Sequence, residues 1–157
     1  QGIKDHETAY VLYQVMGEAC FGLEKYDDAI EQYTIYSKYM GEDSMLLMNL
    51  SDIYFQKSEF EKSRELCLRG MKMNPRHAGC IASYAVLLKK EKWSDLLPLI
   101  EKTGKKLDAM EIIMDYAIFA DKLDLARWMF DHFKKEFPQE EDLILYYEEE
   151  FSLDDDE

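Results

Sequence analysis

Cys67, His77 and Cys80 come closest to a metal-ligand set in this chain. The nine residues separating Cys67 from His77, and the change from helix to loop between them, fit no zinc spacing. His6, His77 and His132 lie on different stretches, no glycine-rich phosphate loop occurs, and no serine stands in a nucleophile-elbow pattern. Carboxylate pairs such as Asp27 with Asp28, or Glu148 with Glu149, are common in so acidic a chain. They read as solvated surface, because a catalytic pair needs burial to separate its pKa values. No catalytic residue, metal or cofactor is expected, and an enzyme is the outside reading.

Composition narrows the classes that remain. The 157 residues are 47% apolar, enough for a packed core, and no apolar run approaches a membrane span. Gln1 and Gly2 would fit a tag remnant, and the N-terminus has no signal-peptide core. Cys20, Cys67 and Cys80 are odd in number and each lies in a helical apolar pattern, which reads as buried thiols in a reducing, cytoplasmic compartment. The formal net charge is −14, and residues 140–157 hold ten acids and no base. That field repels phosphates, so direct nucleic-acid binding is disfavoured against a protein or peptide partner, and no membrane partner is expected.

The elements that must carry any binding surface are helices. Residues 5–23 place Val11, Leu12, Val15, Met16, Ala19, Cys20 and Leu23 at helical spacing, with Asp5 or Thr8 as a cap. A second stripe, Tyr26, Ala29, Ile30, Tyr33, Tyr36 and Met40, closes at Gly41. In residues 44–77, Leu47, Leu50, Ile53 and Tyr54 precede the break Gln56, Lys57, Ser58; then Phe60, Leu66, Cys67 and Met71 follow, ending at Asn74 and Pro75. Each hairpin is too small to bury its apolar face alone, so neighbours should stack.

Residues 10–43 and 44–77 resemble two tetratricopeptide repeats in register, each 34 residues long. The resemblance rests on Tyr13, Met16, Gly17, Cys20, Tyr26, Ala29, Ile30 and Tyr33 in the first copy. In the second it rests on Leu47, Leu50, Ser51, Tyr54, Phe60, Ser63, Cys67 and Pro75. Residues 78–108 keep Tyr84, Ala85 and Trp93, then a second helix with Leu96, Leu97, Ile100 and Leu107 and with Pro98 in its first turn. Residues 109–138 are shorter and resemble the half-a-TPR variant. The expectation is an all-α superhelix, a solenoid of about four antiparallel helix pairs. Residues 1–9 would form a lead-in, 141–151 a capping helix and 152–157 an acidic disordered tail.

The resemblance implies a concave groove lined by the first helix of each pair. By that register its residues are Gln14, Glu18, Phe21, Met45, Met48, Asn49, Asp52, Phe55, Gly79, Ala82, Ser83, Val86 and Lys89. This is an apolar floor with two carboxylates, suited to an apolar or amphipathic, basic peptide or helix. The plainer reading is that these side chains pack under neighbours. Family members that clamp carboxylate peptide ends carry basic residues and asparagines here, and only Asn49 agrees with them. Alternatives are a chaperone for a secreted or aggregation-prone client and an acid-tailed escort of basic proteins. Lysines 89, 90, 92, 102, 105 and 106 would attract the tail or lie solvated.

Overall fold

A computed structural model describes the backbone of residues 2–153 and the side chains of residues 10–152. Among the described residues the chain is all-α, with nine α-helices, one 3-10 helix and no strand. No helix is long and apolar enough to cross a membrane among the described residues. The contacts divide the chain into two compact units, Gln1–Cys80 and Ile81–Glu157.

The first unit holds two antiparallel hairpins, α1 (Gly2–Gly22) with α2 (Tyr26–Met40) and α3 (Ser44–Gln56) with α4 (Phe60–Met73). Their inward faces follow helical spacing: Ala29 and Tyr33 on α2, Ser63, Leu66, Cys67 and Gly70 on α4. Each hairpin ends its first helix the same way. Glu24 (φ 59°) and Ser58 (φ 60°) adopt the left-handed conformation. The amide after each donates back to the carbonyl five residues earlier, Lys25 N to Cys20 O and Glu59 N to Tyr54 O, at 2.9 and 2.8 Å. The two turns are 34 residues apart, so the hairpins are in register. Asp43 caps α3 by accepting from the Leu46 amide at 2.7 Å.

One side of α3 sends Leu46 and Ile53 into a cluster with Ala29 and Tyr33 of α2, flanked by Ile30, Tyr36 and Leu50. Its next side packs Leu47 and Tyr54 against Leu66 of α4. Each such fully buried side chain contributes about 1.5–3 kcal/mol. Lys57 Nζ, at the end of α3, reaches Asp27 Oδ1 of α2 at 2.6 Å, and Arg69 of α4 pairs with Glu42 in the α2–α3 loop.

Chain 78–85 forms α5 (Ala78–Ala85), which runs from the first unit into the second. The second unit continues with the 3-10 helix Lys90–Asp95, α6 (Leu96–Thr103), α7 (Lys106–Phe119), α8 (Leu123–Glu136) and α9 (Glu141–Leu153). α7 and α8 form a third hairpin, closed by Asp121 (φ 54°) and by Lys122 N donating to Ala117 O at 2.7 Å. α9 lies on α8: Phe130 meets Tyr147 and Phe151, with ring centroids 5.9 and 5.3 Å apart. The Tyr147 hydroxyl donates to Asp115 Oδ1 at 2.8 Å. Trp93, buried in the 3-10 helix, stands 5.8 Å from Trp128, whose ring lies tilted against His132 at 4.3 Å between centroids.

Several expectations are corrected. The lead-in is helical from Gly2, so Asp5 and Thr8 lie within α1 rather than ahead of its first turn. The α1 stripe is turned over: Gly17 is buried and Tyr13, Cys20 and Phe21 are half-buried, while Val11, Leu12, Val15, Met16, Ala19 and Leu23 are exposed. Residues 78–108 are not one helix pair, because α5 has eight residues, a 3-10 helix intervenes and Leu107 belongs to α7. Ser152 belongs to α9 rather than to a tail, and residues 154–157 lie outside the described residues.

Candidate interaction surface

The groove residues of the first unit stand on α1 and α3, either side of the α2 residue Tyr33. Gly17 is why that tyrosine sits there: a Cβ at Gly17 would come within 2.8 Å of Tyr33 Cε1, so only glycine lets the ring lie on the α1 backbone. The ring is 1% exposed, and its hydroxyl is hydrogen-bonded to the Asn49 side chain. Burial raises the Tyr33 pKa, the charges of Glu18 and Asp52 raise it further, and the Asn49 hydrogen bond lowers it. Carboxylates from two helices therefore act on one phenol.

Gln14 and Phe21 are half-buried and Glu18 exposed, with Gln14 Nε2 donating to Glu18 Oε1 at 3.1 Å. Met45 is exposed; Met48, Asn49, Asp52 and Phe55 are half-buried. Phe21 and Phe55 each meet the first aromatic of the next helix, Tyr26 at 6.0 Å and Phe60 at 5.6 Å between ring centroids. Those two rings thus help close their own hairpins as well as border the surface. Met48 lies over Gly79, where a Cβ would fall 2.3 Å from its sulfur.

On the other side of Cys80 the expectation fails. Ala82, Ser83 and Val86 are 0, 2 and 8% exposed, so none of them lines an open surface. Lys89 is exposed and belongs to the second unit. The polar role of Tyr33 was missed because the residue reads as core by spacing alone. Its hydroxyl was the available signal, since a buried phenol must find a partner.

A cavity of about 10 Å³ beside Tyr33 is bordered by Gln14, Tyr36, Met45 and Asn49 among others, and it has room for no more than about one water. Cys67 and Cys80 are buried, and burial pushes both thiols up to about 12. His77 Nδ1 lies 3.0 Å from Cys80 Sγ, and burial lowers the imidazole pKa, so the pair is neutral at neutral pH. Among the described residues no group of three or more His, Cys, Asp or Glu is placed to hold a metal ion.

No protein-family model matches the chain, and no curated protein matches it. What the surface can do follows from its side chains. Thioethers can accommodate an apolar segment, and carboxylates on the same face can favour a Lys or Arg on it.

Proposed function

We propose that the chain is a tetratricopeptide-like scaffold, without catalysis or cofactor of its own, that holds an apolar or amphipathic, basic peptide or helix of a partner protein against α1 and α3. The observation that carries this reading is the placing of Glu18, Asn49 and Asp52 about Tyr33, with Met45 beside the same ring. Hairpins repeating at 34 residues support the family assignment and, with it, a superhelical stack. The overall charge of −14 supports a protein partner over a nucleic acid. Three cysteines outside any disulfide support a reducing compartment.

The test uses two labelled amphipathic helical peptides that differ only in a Lys or a Glu polar face. The Lys peptide should bind the full chain at least about tenfold more tightly, and Glu18→Lys with Asp52→Lys should reverse the order. Equal affinity for both peptides, or a preference that survives the charge reversal in a variant of unchanged helix content, would refute the reading.

A further inference from the structure

α1 has an outward face that the peptide-binding reading does not use. Leu12, Met16, Ala19 and Leu23 follow one another at helical spacing, flanked by Val11 and Val15. Leu12 is 58% exposed, Leu23 67%, Val15 54% and Met16 48%. Between residues 10 and 23 the only charged side chain is Glu18, on the groove side. A contiguous apolar stripe of this kind differs from the scattered exposed hydrophobics of an ordinary surface.

The chain itself shows what covers such a stripe. Shifting by 34 residues carries Leu12, Met16 and Ala19 onto Leu46, Leu50 and Ile53, and the matching left-handed turns at Glu24 and Ser58 secure that register. On α3 those three residues pack under α2, against Ala29, Ile30, Tyr33 and Tyr36. The face is therefore shaped to receive a helix that presents a small residue, an aliphatic neighbour and aromatics four and seven positions on.

We propose that the outer face of α1 is a second docking site, and that its occupant is an amphipathic helix with the small-and-aromatic face of α2. The site repeats the α2–α3 interface one repeat earlier. A second copy is a poorer occupant, because each copy carries a net charge of −14.

The probe is a labelled peptide of the α2 sequence, residues 26–40, stapled between positions 34 and 38, which are exposed on α2. It should bind the full chain saturably below about 1 mM. Leu12→Glu with Met16→Glu should weaken it at least about 30-fold, since two large apolar contacts are lost. Leu145→Glu, at an exposed position of α9, should leave binding unchanged. No saturation by about 1 mM, or equal binding to the double variant, overturns the proposal. So does loss of helix content in that variant, which would place the stripe in the core. A dimer of the chain alone that Leu12→Glu and Met16→Glu abolish would make a second copy the occupant and overturn it as well.

Discussion

Cys67 sits where α3 and α4 touch, its sulfur 2.8 Å from Ser51 Oγ, which also lies 2.9 Å from Ser63 Oγ. Cys80 Sγ donates to the Ser44 carbonyl at 3.2 Å and fills the space a Cβ on Gly70 would need, 2.6 Å away. Both thiols titrate near 12 when folded, against a usual 9.0. A folded pKa above the unfolded one makes a contribution to stability that is complete below about pH 9 and is lost as the pH rises toward the folded value. The buried phenols of Tyr33 and Tyr147, whose pKa values are also raised, act in the same direction. Urea midpoints should hold to about pH 8.5 and then fall, and iodoacetamide at about pH 8 should label half-buried Cys20 before Cys67 or Cys80. Early labelling of either buried thiol would contradict this. At this scale the sequence was read well for small residues at contacts, Gly17 and Ser51 among them. It was read poorly for Ala82, Ser83 and Val86, because extending the repeat register past Cys80 assumed a full-length helix that is not there.

The three hairpins share one device, a non-glycine residue in the left-handed region at the end of the first helix: Glu24, Ser58 and Asp121. Each is exposed, so its conformation is strained without a packing return. Ser58→Gly should raise stability by about 0.5–1 kcal/mol, visible as a Tm increase of a few degrees. A Tm decrease would show that the serine side chain does something the turn needs. Hairpin existence was legible because apolar spacing and polar breaks agree in residues 10–77. Which stripe of α1 faces inward was not, since both sides of that helix carry apolar residues and periodicity cannot say which neighbour is present. The 3-10 helix Lys90–Asp95 was illegible for another reason: a single turn of charged residues around Trp93 has no period to read.

Charge is the property that belongs to the molecule as a whole. Several of the lysines that were candidates to hold the acidic C-terminus have carboxylates of the helical body beside them. Lys106 Nζ lies 2.7 Å from Glu101 and 2.8 Å from Glu136, and Lys105 is 3.7 Å from Asp108. An escort working through the ten acids of residues 140–157 would lose affinity steeply with salt, whereas a partner seated mainly on Met45 and Met48 would not. Affinity for the Lys-faced peptide should fall less than about tenfold between 50 and 500 mM NaCl, roughly the range over which exposed charges become screened. A larger fall would move the binding to the tail. Both indoles of the chain, Trp93 and Trp128, belong to the second unit. Light emitted on selective indole excitation therefore watches residues 81–157 alone, and a melt of the α1–α4 hairpins would pass unseen unless tyrosine signal or circular dichroism were recorded beside it.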